Sequence, residues 1–329
     1  MPRRKEIQKN LSRGWRKLHR YWKLELKYKI KYSHRLIEFV LNSNNNPVVC
    51  WSGGKDSTTV LHLCRQYYAD IPVLYCDSGV DFPENRQFVK KMASEWNLNL
   101  LTSRPKKGET FWDCTRKYGW PIFGKAISAN VERSLRSGNI RHQMSFTEKS
   151  LAKNGIRIST RCCSLILEKP SKKLEKSLNA DVKIIGLMAA ESRARVRLWV
   201  DHGDYYYVKN YFGRNKGIFK ASPISIWTED DVWDYHKLHS IPHCKLYDMG
   251  HKRNGCWPCA MGIRNGQLKR LRQSHPKLFE YLITQTTMGL ELLKAKYALI
   301  GIEKESMRNI VPEKLDLLIE SKPCFFDSI

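Results

Sequence analysis

The sequence predicts an α/β fold: a parallel twisted sheet with helices on both faces, preceded by a basic N-terminal helix and followed by a helical C-terminal region. Three observations carry this. Short apolar strand patterns alternate with helical stretches between about 48 and 96. A glycine-rich turn joins the first strand to the first helix of that series. Apolar residues recur at helical steps through the basic start of the chain.

Taken in order, Ile7, Leu11, Trp15, Leu18, Trp22 and Leu26 are spaced by threes and fours, with Lys and Arg on the remaining faces. This predicts one long amphipathic helix whose apolar stripe docks on the body. Asn42-Ser43-Asn44-Asn45-Asn46-Pro47 is a turn cluster. After it come a strand over 48–51, the turn Ser52-Gly53-Gly54-Lys55-Asp56-Ser57, a helix over about 55–68, a strand over 73–76 and a helix over about 83–96. The stretch from about 104 to 160 reads as basic and less regular. A further strand over 182–185 runs into Gly186, and Thr228 with Asp231 has the spacing of a capping box. Beyond Cys259 the pattern is mostly helical to Glu320. The division expected is 1–46 for the basic helix, 47–262 for the α/β domain and 263–329 for the helical region.

The chain has 329 residues, with 58 Lys and Arg against 32 Asp and Glu, a net charge of +26. Eleven of those surplus charges fall in residues 1–36. A surplus so concentrated points to a polyanionic partner, with nucleic acid first among the candidates. No apolar run approaches the roughly 20 residues that cross a bilayer, and no apolar core of a secretory signal follows the basic start. A cytoplasmic protein with no membrane partner is therefore expected.

In that setting, cysteines are not expected to form a disulfide framework. Cys50, Cys64, Cys76 and Cys114 lie in apolar or mixed surroundings and read as structural. Cys162-Cys163 and Cys256-Trp257-Pro258-Cys259 are clustered, with Cys244 shortly before the second pair. Four thiolates hold zinc or an iron-sulfur cluster, and spacing alone does not choose between them.

The turn at 52–57 lies where glycines let the backbone approach a ligand and helix-start amides point at an anion. It lacks the spacing of a Walker A loop. The order Ser-Gly-Gly-x-Asp-Ser instead resembles the PP-loop of ATP pyrophosphatases, which cleave ATP between its α and β phosphates. Asp77-Ser78-Gly79 followed by Phe82-Pro83-Glu84 resembles a segment of the phosphoadenosine-phosphosulfate reductase family. So do the run from Gly186 to Arg195 and the run from Pro223 to Trp233. The resemblance covers about 48–262 and implies an adenine nucleotide alpha hydrolase-like fold. It implies that Ser52, Gly53, Gly54 and Ser57 cradle pyrophosphate, that Lys55 offsets its charge and that Asp56 helps hold Mg²⁺. Asp77 and Gly186 join the nucleotide site. Arg193, with Arg195 and Arg197 read as lying on one strand face, would meet an anionic substrate. The Cys-Cys…Cys-x-x-Cys arrangement resembles the [4Fe-4S] ligation of adenylyl-sulfate reductases, implying Cys162, Cys163, Cys256 and Cys259 as ligands, with Cys244 able to replace one of the adjacent pair.

The sequence departs from the assimilatory reductases in two places. Its tail, Lys322-Pro323-Cys324-Phe325-Phe326-Asp327, lacks their cysteine motif, which leaves Cys324 at best a sulfur carrier. Ile166-Leu167 stands where they carry a basic pair. An intact PP-loop, a cysteine site and a basic arm together resemble the ATP-pyrophosphatase component of DNA phosphorothioation systems. That resemblance implies an adenylylating sulfurtransferase using ATP, Mg²⁺ and a [4Fe-4S] cluster, with DNA favoured over RNA as substrate and a cysteine desulfurase or other sulfur donor as partner. Sulfonucleotide reduction, transfer-RNA thiolation and non-catalytic nucleic-acid binding are the competing expectations.

Overall fold

The computed structural model describes residues 14–301. They divide into two compact units, the first comprising residues up to Cys76, Pro83–Ser103 and Pro170–Tyr247, the second Asp77–Phe82, Arg104–Lys169 and residues from Asp248.

The first unit holds a six-stranded sheet in the order β3-β2-β1-β4-β6-β5. Its strands are β1 (Pro47–Cys50), β2 (Val73–Cys76), β3 (Leu100–Ser103), β4 (Val182–Ile185), β5 (Tyr205–Gly213) and β6 (Lys216–Ala221). All neighbours pair in parallel except β5 and β6. The predicted parallel sheet is thus correct except at one edge. There β5 is an antiparallel hairpin strand whose Tyr, Val and Phe residues suit a strand, although buried and exposed positions do not alternate cleanly along it.

From β1 the chain moves outward through β2 and β3, then returns to place β4 and β6 on the other side. Right-handed crossovers make this reversal put helices on opposite faces. Helices α3 (Lys55–Arg65) and α4 (Pro83–Glu95) follow β1 and β2, while α8 (Lys169–Ser177) precedes β4. Leu174, within α8, and Leu178, just beyond its end, pack on Val48, Leu74, Ala180 and Ile218. The reversal also leaves a crevice beyond the carboxyl ends of β1 and β4, where ligands of open α/β sheets bind.

The N-terminal arm differs from expectation. Residues 14–22 form helix α1, but the helix stops there, and α2 (Leu26–Ser43) starts anew after an extended Glu25. Lys29 explains the corner: its buried Nζ donates to the Trp22 carbonyl (3.0 Å) and to Asp231 Oδ2 (2.6 Å). One ammonium therefore caps the end of α1 and ties α2 to α10 (Glu229–Leu238). Asp231 also closes the predicted capping box, accepting from Thr228 N at 2.7 Å. Hydropathy could not show α2, because its buried face carries Lys29 and Ser33 beside Ile37 and Val40. Leu18 is buried as the stripe requires, whereas Trp15 is exposed. Ile7 and Leu11 lie outside the described residues.

In the second unit the stretch read as irregular forms α5 (Phe111–Tyr118), α6 (Lys125–Ser137) and α7 (Phe146–Lys153). Capping boxes open α5 at Thr110/Asp113 and α7 at Ser145/Glu148. Those four residues were the unused signal. The helical C-terminal expectation holds through α11 (Gln267–Ser274), α12 (Pro276–Thr284) and α13 (Met288–Leu299). Cys324 and the rest of the tail lie outside the described residues. Among the described residues no helix is long and apolar enough to cross a membrane.

Candidate nucleotide site and cysteine centre

β1 ends in a turn that only glycine permits at its tip. Gly53 has φ +75°, and a β-carbon there would stand 2.6 Å from Asn85 Oδ1 and 2.9 Å from Val89. Gly54 caps α3 in extended geometry. The turn is held by its own serines: Ser57 Oγ donates to the Gly54 carbonyl (3.0 Å), accepts from Ser52 N (3.2 Å) and lies 3.1 Å from Ser52 Oγ. Asn85, from α4, donates to the Ser52 carbonyl at 3.1 Å. These contacts fix the loop before any ligand arrives.

Gly186 serves the same turn from β4. A β-carbon on it would lie 2.7 Å from Ser57 N and 2.8 Å from the Asp56 carbonyl carbon and Ser57 Cα, all backbone atoms. The first turn of α3 therefore rests directly on the end of β4, and the sequence-predicted residues 52–57 and 186 converge at the crevice.

Lys55 is buried, and its Nζ pairs with Asp56 Oδ1 at 2.9 Å and Glu229 Oε1 at 3.4 Å. Its amide donates to the Tyr247 hydroxyl at 3.0 Å, so a phenol oxygen takes one of the helix-start donors. Burial pushes the Tyr247 phenol up from its ordinary range, with the Lys55 amide opposing. Behind the loop, His236 Nε2 lies 3.1 Å from both the Lys55 carbonyl and Thr59 Oγ1, and burial holds this imidazole below its usual pKa. Tyr247, His236, Asn85 and Glu229 come from distant segments, and no local pattern marks them.

Arg193 requires a correction. Residues 193–202 are helix α9 (Arg193–His202), not a strand, so alternate residues do not share a face. Arg195 pairs with Glu191 and Arg197 with Asp201, while Arg193 is exposed at the first turn. Asp77 belongs to the second unit, directly after β2, where its carboxylate accepts from Arg104 Nε (3.0 Å) and Gly79 N (3.1 Å).

The four clustered cysteines all lie in the second unit, and a ladder of short bridges assembles them. Residues 120–122 are its middle rung. Trp120 pairs in parallel with Ile158, four residues before Cys162, and Ile122 pairs in parallel with Ala260, next to Cys259. Trp120 N donates to Arg157 O (3.0 Å), and Ala260 N to Pro121 O (2.9 Å). Glu132, on α6, grips the first cysteine segment through Arg161 Nε (2.5 Å) and Ser159 Oγ (2.7 Å). Cys163 opens a π-helical turn, Cys163–Glu168, a geometry frequent at functional sites. Ile166 is buried within it.

The four thiols sense one another electrostatically. Cys162 and Cys163 act on each other as a pair, which raises the first thiol and lowers the second. Burial pushes Cys256 up to about 12 and Cys259 to about 11. Among the described residues, no three Cys, His, Asp or Glu side chains stand close enough to hold a metal ion. What fits a thiolate-ligated group is the donor chemistry: four mutually interacting thiols on two segments fixed by one ladder. Cys244 is in the first unit, fully buried beside Tyr247. Cys64 and Cys114 are buried as expected, and Cys50 and Cys76 are half-buried.

A mostly parallel α/β sheet with a serine-glycine loop at its switch point defines a PP-loop nucleotide-binding architecture. More specifically, the chain belongs to the phosphoadenosine phosphosulfate reductase domain family, whose model matches residues 46–261. It is 27% identical over 242 residues to an uncharacterised protein of Methanocaldococcus jannaschii, covering 74% of this chain and 48% of that one. It thus spans about half the length of the first of its curated relatives. It is also 28% identical over 207 residues to the phosphoadenosine 5'-phosphosulfate reductase of Proteus mirabilis, covering 63% of this chain and 68% of that one. The crystal structure of the phosphoadenylyl-sulfate reductase of Candida auris aligns with TM-score 0.45 and 16% identity, over 78% of this chain and 97% of that one.

Proposed function

We propose that the protein is an ATP pyrophosphatase that adenylylates a nucleic-acid phosphate so that sulfur can replace oxygen, as in DNA phosphorothioation. The observation that carries this reading is the intact, preformed loop at 52–57, packed on Gly186 at the end of β4. Backbone amides at the start of α3 would bind the β and γ phosphates, and Lys55 would turn from Asp56 towards them. Asp56 would help hold Mg²⁺, which supplies charge neutralisation on the leaving pyrophosphate, and Asp77 keeps its expected nucleotide-binding role. A substrate phosphate oxygen attacks the α-phosphorus and pyrophosphate leaves. The terminal sulfur of a persulfide, delivered by a partner such as a cysteine desulfurase, then attacks the substrate phosphorus as AMP departs with the oxygen, and a donor thiol cleaves the S–S bond to leave the P–S group and a disulfide. Arg193 would steer the anionic substrate. Cys162, Cys163, Cys256 and Cys259 would hold a [4Fe-4S] cluster, which supplies one-electron or sulfur-binding chemistry when bound. The basic residues exposed on α1 and α2, among them Arg16, Arg20, Lys27, Lys31 and Arg35, support a DNA partner.

Reduction of a sulfonucleotide is the second reading, favoured by the family and by the Proteus relative. Product analysis separates the two. The first predicts AMP and pyrophosphate from ATP, lost in Lys55→Ala and Asp56→Ala. Release of sulfite from phosphoadenylyl sulfate with thioredoxin, without ATP cleavage, would replace it with the second.

A further inference from the structure

The ladder that assembles the cysteines has one rung more than that task needs. Asp81 pairs antiparallel with Cys256, and Trp257 N donates to the Val80 carbonyl at 3.1 Å. This outer rung is the loop Asp77–Phe82, which carries the Asp-Ser-Gly motif. The loop is internally tied. Ser78 Oγ donates to Asp81 Oδ1 (2.8 Å), Ser78 N to Asp81 Oδ2 (3.2 Å), Val80 N to Ser78 Oγ (3.2 Å) and Gly79 N to Asp77 Oδ1 (3.1 Å). Ser78 is buried and is one of the groups acting on the Cys256 thiol. Cys256 is thus joined to Asp81 through the bridge, and Asp81 to Ser78 through two hydrogen bonds, with Asp77 at the head of the loop.

We propose that the cysteine centre acts as a clamp on this loop: when the four thiolates take up an iron-sulfur cluster, the Cys256–Cys259 knuckle is fixed, and through Ser78 and Asp81 it fixes the presentation of Asp77. Ser78 is a positioning residue in this scheme, acting through its neighbours. The physical reason is the size of the rung. A bridge of one residue pair has little stability of its own, because ordering its residues costs conformational entropy, whereas thiolate–metal bonds on one side supply order that propagates across the Trp257–Val80 hydrogen bond. The inference rests on the cluster and Asp77 assignments made under the proposed function.

The test is hydrogen–deuterium exchange on the full chain, comparing anaerobic protein reconstituted with ferrous iron and sulfide against the same protein after chelation. Amides of residues 78–80 and of Trp257 should exchange at least tenfold more slowly in the loaded protein. Ser78→Ala should retain the iron and sulfide content of the parent yet lose most of that iron-dependent difference, which a merely structural serine would not abolish. Asp81→Asn provides the same test should Ser78→Ala fail to fold. Iron and sulfide bound with exchange at 78–80 unchanged would overturn the clamp while leaving the cluster reading intact. Failure to bind iron and sulfide at all would overturn both.

Discussion

Gly186→Ala is the sharpest test of how the nucleotide loop is built. The added methyl would meet three backbone atoms of α3 at 2.7–2.8 Å, where ordinary contact begins near 3.4 Å. None of these atoms can rotate away, so the first turn of α3 or the end of β4 must move by about 0.7 Å. Overpacking of this kind costs on the order of 1–3 kcal/mol. The displaced turn carries Asp56 and Ser57, so nucleotide affinity should fall at least tenfold, beyond what destabilisation alone explains. The control is Gly124→Ala, since a β-carbon there meets nothing within 4 Å and the residue caps α6 from ordinary extended backbone. Urea unfolding and equilibrium ATP binding, measured on both variants, check the reasoning. A Gly186→Ala protein as stable as the parent and binding ATP equally well would refute it.

Other consequences are more local. Lys29→Met removes the ammonium that caps α1 and leaves Asp231 charged and buried, so a loss of about 3–5 kcal/mol is expected from denaturant unfolding, far more than an exposed pair would give. His62 is held down to about 4 by burial and then by the neighbouring cationic charges of His239, His236, Arg65 and His34. Below pH 6.5 the unfolded chain takes up a proton that the native imidazole refuses. His62 therefore contributes stability above pH 6.5 that is lost as pH falls towards 4, on the order of 2–3 kcal/mol, and His62→Gln should flatten that part of the stability–pH curve. If the basic face of α1 and α2 meets DNA, affinity should fall steeply with salt, and Lys27→Ala/Lys31→Ala/Arg35→Ala should reduce the salt slope; an unchanged slope would assign the face another role.

Local chemistry by itself determined the strand-turn-helix at 47–65, because Gly53 and the serines are adjacent in the chain and the turn they form closes on itself. It likewise determined the capping box at Thr228, whose partners stand three residues apart. The sequence order of the cysteines nominated a ligand set without saying how two segments 92 residues apart could meet. Tertiary structure decided that through Trp120 and Ile122, apolar residues whose backbone forms the middle rung and whose side chains carry no ligand signal. It also decided that Lys29 turns inward, although neighbouring lysines point to solvent. The partner that makes its burial tolerable, Asp231, is 202 positions away. Arg193 was misread for a related reason: alternate spacing distinguishes a strand from a helix only when burial alternates too, and burial is set by what packs against the segment. Periodicity and turn chemistry act over a few residues and are legible in order. Ion pairs, bridges and close glycine contacts depend on which distant segments the sheet brings together, and only the folded chain specifies them.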